Sequence, residues 1–287
     1  MNNDYLKEKI YQKIKEITEK NEDWMKLSMP NWEKGEKEKY LKSKSDLKID
    51  YTFFVNFLDS EFSLKNKKIL DLGCGFGHIS FLLEEKKAKV FSLDIEKDFV
   101  YVVNLKKKLA ESNIKPLIGN GFALPFKNKS FDIVICTHTL EHIRDSFNFL
   151  KEVNRVLKIG GILYLSIPNY FFPFEPHFKV PLIPFLPKNL SKFLIKNFFY
   201  RKGLKRINKK WEDIPFLESF LLELNFIKFF ELEKLIKKAG FKIYKKNFIF
   251  DEEMRPSKKL LLKKILKIFR FYPFETRFIA IKNEKVF

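Results

Sequence analysis

Cysteine is nearly absent from this chain: there are two in 287 residues, Cys74 and Cys136, and neither stands in a C-x-x-C pair. That excludes a disulfide framework and the common zinc modules, and both cysteines read as small buried residues of a reduced, cytoplasmic protein. No apolar run reaches the roughly 18 residues of a membrane span. The opening residues, Met1 to Glu8, carry neither the apolar stretch nor the cleavage pattern of a signal peptide. Histidine is scarce as well, with only His78, His138, His142 and His177 available to move protons near neutral pH. Acids are outnumbered, 36 Asp and Glu against 56 Lys and Arg, for a formal net charge of +20. A charge this large draws anionic partners, whether a membrane surface, nucleic acid or acidic glycans. It equally fits a solvated lysine-rich surface with no dedicated partner, a bias also met in thermophiles.

Against that background one stretch stands out, Ile69-Leu70-Asp71-Leu72-Gly73-Cys74-Gly75-Phe76-Gly77-His78. It reads as an apolar strand running into a turn with three alternating glycines, followed by the helix start Ile79-Ser80-Phe81-Leu82-Leu83. Glycines there let the backbone turn tightly and leave room for a ligand at the helix N-terminus. A dinucleotide fingerprint would read G-x-G-x-x-G, whereas here the third glycine comes one residue early. A second strand, Lys89–Asp94, ends in a carboxylate roughly twenty residues beyond the loop, where α/β folds hold ribose hydroxyls. Three further signals follow in order. They are the turn Gly119-Asn120-Gly121-Phe122-Ala123-Leu124-Pro125-Phe126 after a short strand at Pro116–Ile118, the strand Ser130–Cys136 with Leu140-Glu141-His142 behind it, and Leu157-Lys158-Ile159-Gly160-Gly161 before a fifth strand, Ile162–Ile167.

Together these elements resemble a class I S-adenosylmethionine-dependent methyltransferase over roughly 65–170, in the ubiquinone/menaquinone-biosynthesis-like branch. The resemblance implies an α/β, Rossmann-like seven-stranded sheet, mostly parallel, in the order 3-2-1-4-5-7-6 with strand seven antiparallel and helices on both faces. It implies S-adenosylmethionine as cofactor. Gly73 and Gly75 would let the backbone approach its methionyl part, with Gly77 and Gly121 in the same two cofactor turns. Asp71 would support the loop and meet the ammonium group through water, and Asp94 would hold the ribose with Ile95 beside the adenine. Asn120 stands where the family commonly has Asp, and still offers a carbonyl acceptor to the adenine. Phe122 would flank the adenine or join the core, while Thr137 and His138 would end strand four facing the methyl donor.

The rest of the chain divides around this centre. Residues 1–48 are expected to form helices capping the cofactor site, and 49–287 the methyltransferase domain, with a helix at Asp50–Asp59. Residues 170–225 carry five prolines within fifteen residues, Pro173 to Pro187 bounding the densest part, which argues against a regular element and for a substrate-covering lid. The amphipathic helix Glu231–Phe241 ends at Gly240, and strands six and seven are expected at Lys242–Phe250 and Thr276–Ile281. Between them, 257–270 reads as a basic amphipathic helix that either packs on the domain or lies on an anionic membrane. The expected location is cytoplasmic, with peripheral contact at the inner membrane surface as the second option.

A hydroxyl acceptor would gain about 10²–10⁴-fold from a general base. His177 in the lid is the first candidate for substrate contact, with His138 and His142 beside it, while His78 is expected to pack behind the loop. His138-Thr139-Leu140-Glu141-His142 matches H-x-x-E-H, but a strand ends directly before it, so the zinc-peptidase geometry fails and no metal is expected. Ile167-Pro168-Asn169-Tyr170 follows strand five rather than strand four, and is no nucleobase-methylation box. The reading is methyl transfer, foremost to an oxygen of a small or lipid-linked acceptor. RNA methylation is supported by the charge and opposed by the lack of an RNA-binding module. A cofactor-binding protein without transferase activity is the third reading. Oligomeric state is not legible.

Overall fold

Short, near-continuous apolar strands build the centre of the molecule. The computed structural model describes residues 2–20, 22–28, 35–47, 51–168, 174–175, 180–181, 186–214, 227–246 and 275–283. Seven strands form one sheet: β1 (Lys68–Leu72), β2 (Lys89–Asp94), β3 (Lys115–Ile118), β4 (Phe131–Thr137), β5 (Leu157–Pro168), β6 (Phe241–Lys246) and β7 (Glu275–Lys282). They lie in the order 3-2-1-4-5-7-6. The first five are mutually parallel, and β7 runs antiparallel to both β5 and β6. The fold class and strand order implied by the resemblance are therefore those observed.

The helices are α1 (Asn3–Glu19), α2 (Glu22–Ser28), α3 (Glu36–Ser45), α4 (Thr52–Phe62), α5 (His78–Glu85), α6 (Lys97–Leu109) and α7 (Ser146–Val156), then α8 (Lys188–Leu194), α9 (Arg201–Arg206) and α10 (Phe229–Lys238). Leu70, Val134, Leu163, Leu165 and Phe278 face α7 and α10 across one core layer. Their neighbours Ile69, Ile133, Ile135, Tyr164 and Ile279 face α4 and α5 across the other. That two-sided burial is what makes the central strands read as continuous apolar runs. Leu6, Ile10 and Ile14 of α1 pack with Leu41 of α3 against Val102 and Leu105 of α6. The helices expected in 1–48 are thus present and lie on α6.

Three boundaries differ from the sequence reading. β5 begins at Leu157, because Leu157 already pairs with Phe131 while Ile162 pairs with Ile133; Lys158–Gly161 bulge inside the strand. The helix before β1 starts at Thr52 and runs to Phe62. In 170–225 the prolines do not exclude all pairing: Phe174–Glu175 and Val180–Pro181 form a two-residue antiparallel ribbon, and α8, a π turn (Ile195–Phe199) and α9 follow. His177 and the basic segment 257–270 lie outside the described residues.

Candidate active site

β1 ends at Leu72 and the chain turns through Gly73–Gly77 into α5. Gly73 N and Cys74 N both donate to Leu93 O, at 2.8 and 3.1 Å, which ties the turn to the end of β2. Gly73 and Gly75 both hold positive φ, +78° and +51°, yet their missing side chains do different things. A Cβ on Gly73 would sit 2.1 Å from Thr139 Oγ1, whereas one on Gly75 would meet no protein atom within 4 Å. Gly73 makes room for Thr139; only Gly75 leaves an open cradle. The sequence reading had assigned both to cofactor approach. Gly77 and Gly121 leave space that Val103 and the Phe149 ring fill.

The carboxylate ending β2 is aimed at that cradle. Asp94 Oδ2 accepts from Gly75 N at 2.8 Å and Oδ1 from Glu96 N at 3.0 Å. Each oxygen keeps a lone-pair direction for a further donor, as a diol requires. Asp71 is buried behind the turn and accepts from Ser80 Oγ at 2.6 Å, which in turn accepts from Ser92 Oγ at 2.6 Å. Burial, opposed by the Ser80 hydrogen bond and reinforced by the charge of Asp94, raises the Asp71 carboxyl to about 7. A cation brought near would draw it back to the ionised form. His78 is buried behind the loop with Nδ1 3.3 Å from Leu47 O; burial and the charges of Lys106 and Lys44 pull it down to about 3, so it packs as a neutral ring.

Apolar side chains rim this corner. Ile95, Ile118 and Phe122 are 64%, 60% and 43% exposed, and the Phe122 ring meets Phe149 edge to face at 6.2 Å. Asn120 Oδ1 accepts from Phe122 N at 2.9 Å, closing an Asx turn that spends one of its two lone pairs.

At the C-terminal ends of β4 and β5 the charge pattern changes. Thr137 pairs with Ser166 across the strands. His138, at φ +51°, has Nε2 3.0 Å from Glu275 Oε1 and Nδ1 3.4 Å from Glu141 Oε1. Glu275 Oε2 accepts from Ser166 Oγ at 2.7 Å and from Arg277 Nε at 3.2 Å. Burial works against the charge on His138, but Glu141 and Glu275 override it and hold the imidazolium up to about 10. Burial likewise opposes the charge on Glu275, and His138, Arg277 and Ser166 bring it down to about 2. In this state both ring nitrogens of His138 are donors, so the ring has no lone pair for proton abstraction. His142 is exposed on the turn Leu140–His142. Glu275, Ser166 and Tyr51 were missed by the sequence reading. Burial and then the charges of Glu275 and Asp71 raise the Tyr51 hydroxyl, which places it electrostatically with this group.

The pair sets a pH window. Glu275, at about 2 against an ordinary 4.5, contributes stability above pH 4.5 that fades as pH falls towards 2. His138, at about 10 against 6.5, contributes below pH 6.5 what is lost as pH rises towards 10. Glu275→Gln is therefore expected to lower the His138 pKa by more than about one unit, read by imidazole NMR titration. The stability gap to wild type should narrow above pH 6.5. An unmoved titration would assign the imidazolium to Glu141 alone.

A groove of about 640 Å³ lies between α1 and α6, lined among others by Lys9, Gln12, Lys97, Tyr101 and Asn104. It meets the site only at Ile118 and contains none of the loop residues.

Comparison with known proteins agrees with this geometry. A family model described as a methyltransferase domain matches residues 70–165. The demethylmenaquinone methyltransferase of Lactococcus lactis subsp. lactis is 35% identical over 188 residues, 62% of this chain and 67% of that one. The ubiquinone biosynthesis O-methyltransferase of Coxiella burnetii is 29% identical over 118 residues, 41% of this chain and 50% of that one. Beyond the Lactococcus protein, the chain spans about half the length of the curated relatives it matches. Among solved structures, a SAM-dependent methyltransferase from Aquifex aeolicus superimposes with a TM-score of 0.51 at 15% identity, over 84% of this chain and 97% of that one. At that identity the likeness concerns the fold. The residues present fit S-adenosylmethionine: an open glycine cradle at Gly75, a carboxylate with lone pairs to spare at Asp94, and exposed Ile95 and Phe122 for a flat ring. The chain therefore belongs to the class I S-adenosylmethionine-dependent methyltransferases, in their quinone-biosynthesis-like branch, and S-adenosylmethionine is its cofactor.

Proposed function

We propose that this methyltransferase acts on an oxygen of a small, apolar or lipid-linked acceptor. The observation that carries the reading is the similarity over 188 residues to an enzyme named for demethylmenaquinone, and the relative named an O-methyltransferase favours oxygen as the atom. The bound cofactor would supply an electrophilic methyl group on a positively charged sulfur. This chain's residues would then serve alignment, which can by itself supply much of the rate. Gly75 would admit the cofactor backbone, Asp94 would grip its ribose, and Ile95, Phe122 and the Asn120 turn would frame its base. Asp71, whose carboxyl stands at about 7, would ionise beside the cofactor's ammonium. The carboxylate of Asp94, with that of Asp71 once ionised, would give the cradle a negative field that favours a cationic ligand over a neutral product.

For the acceptor, the His138–Glu275 pair is read as a fixed donor and positioning group, since His138 is held protonated. His142 and His177 remain the proton-acceptor candidates, His177 from outside the described residues.

Methyl-labelled cofactor incubated with the protein and source-cell extract tests the proposal, with label partitioned between organic, RNA and aqueous fractions. Organic-phase label that hot hydriodic acid releases as methyl iodide would support an ether, hence oxygen. Acid-stable organic label would move the reaction to carbon. Label in RNA would overturn the acceptor class and turn the +20 charge into the main clue. Cofactor binding with no labelled fraction would favour the non-catalytic reading.

A further inference from the structure

The insertion between β5 and α10 has two unlike faces. Along α8, the π turn and α9, one face is anchored: Ser191, Ile195, Tyr200 and Leu204 are buried, as are Trp211 and Ile214 just beyond. The other face turns Leu190, Phe193, Phe198 and Phe199 outward, 43%, 55%, 66% and 43% exposed. Phe193 and Phe198 meet edge to face with ring centroids 6.3 Å apart, so these side chains form a patch rather than scattered residues. Around it the charge is one-sided. Residues 186–214 carry nine Lys and Arg against two acids, and Arg201, Lys202, Lys205, Lys209 and Lys210 are exposed. One of the two acids, Glu212, is taken up by Lys196.

Clustered exposed aromatics are costly in water and mark contact surfaces. Positive charge beside them selects the partner. An anionic bilayer rewards both features at once, because rings enter the headgroup boundary while Lys and Arg stems lie along it and place their charge among the phosphates. Single-stranded nucleic acid would instead need rings set in a basic groove. Neither the groove between α1 and α6 nor the one between α7 and α10 includes these phenylalanines. No helix among the described residues is long and apolar enough to cross a membrane, so the contact would be peripheral.

We propose that the face formed by Leu190, Phe193, Phe198 and Phe199 with its surrounding lysines and arginines docks the protein on an anionic lipid surface. The inference uses none of the cofactor-loop residues and holds for any acceptor atom.

Cosedimentation of the full chain with vesicles of mixed phosphatidylglycerol and phosphatidylcholine, against phosphatidylcholine alone, tests it. Wild type is expected to bind the anionic vesicles and to release as salt rises. The Phe193→Ser/Phe198→Ser variant should bind at least about tenfold more weakly, with circular dichroism and cofactor affinity unchanged. Should that variant misfold, Phe198→Trp provides the second reading: its emission, relative to wild type, should shift to the blue and be quenched by brominated lipid on vesicle addition. No binding by wild type, undiminished binding by the double variant, or an unshifted Phe198→Trp emission would each overturn the proposal. So would polyuridylate binding that depends on the same two phenylalanines. None of these readouts uses methyl transfer, so a failed acceptor assignment leaves them intact.

Discussion

Alanine at Gly75 is expected to leave the fold nearly intact and weaken S-adenosylmethionine binding about 10–100-fold. Alanine at Gly73 should do the opposite kind of damage. Both positions carry positive φ, +51° and +78°, which costs an L-residue about 1–2 kcal/mol. At Gly75 that is the whole structural penalty, because the new methyl meets no protein atom within 4 Å; it projects into the space we assign to the cofactor. At Gly73 the methyl would land 2.1 Å from Thr139 Oγ1. That hydroxyl is itself committed, donating towards Leu72 O and Thr137 O at 3.3 and 3.2 Å. Overpacking adds about 1–3 kcal/mol, for a total of about 2–5 kcal/mol lost from folding. Thr139→Ala placed on Gly73→Ala should recover the steric part and leave the backbone part. Titration calorimetry with the cofactor and urea denaturation separate the two effects. Unchanged cofactor affinity in Gly75→Ala would remove the cradle assignment.

Lys106→Met is expected to be the most destabilising single substitution on α6. Lys106 is fully buried, and its Nζ donates to Lys44 O and Asp46 O at 2.7 Å each and to Phe76 O at 3.2 Å. The first two carbonyls end α3, and the third belongs to the glycine turn. One ammonium therefore fastens the N-terminal helices and the cofactor loop to the same point of α6. Burial, with the charge of Lys44 adding and that of Asp46 opposing, brings its pKa down to about 7, while three acceptors use all three of its protons. Methionine fills the volume but leaves three carbonyls without this donor, each costing about 1–3 kcal/mol where water cannot replace it, so a loss of at least about 3 kcal/mol is expected. Because α1 and α3 depend on this contact, hydrogen exchange should rise first in 3–19 and 36–45, and trypsin should cut there before the sheet opens. Uniform protection in the variant would show that the apolar contacts of Leu6, Ile10 and Ile14 suffice.

Much of the candidate cofactor site was legible along the chain. A strand, a glycine turn and a helix start are adjacent in sequence, and Asp94 falls at the end of the next strand, so local periodicity and spacing carry the information. The strand order came with the family resemblance, since nothing local orders seven strands. Local signals also mislead at the bulge of Lys158–Gly161, which reads as preceding the fifth strand but lies within β5.

What only the tertiary structure decided are contacts between distant residues. Glu275 meets His138 from 137 positions away, because β7 folds back antiparallel beside β5 and brings its first residue to the end of β4. That pairing makes His138 an imidazolium, a state no spacing rule could foretell. Lys106 looked like one more lysine in Lys106-Lys107-Lys108, and became a buried staple only because α3 ends over it. Gly73 and Gly75 are identical in sequence terms and differ through Thr139, 66 residues beyond Gly73. By itself, then, the sequence determined the strands, the turn and the carboxylate that ends β2, whose causes are local. The charge states, the staple and the division of labour between glycines depend on which side chains the completed fold brings within a few ångströms, and burial there turns ordinary residues into strongly coupled ones.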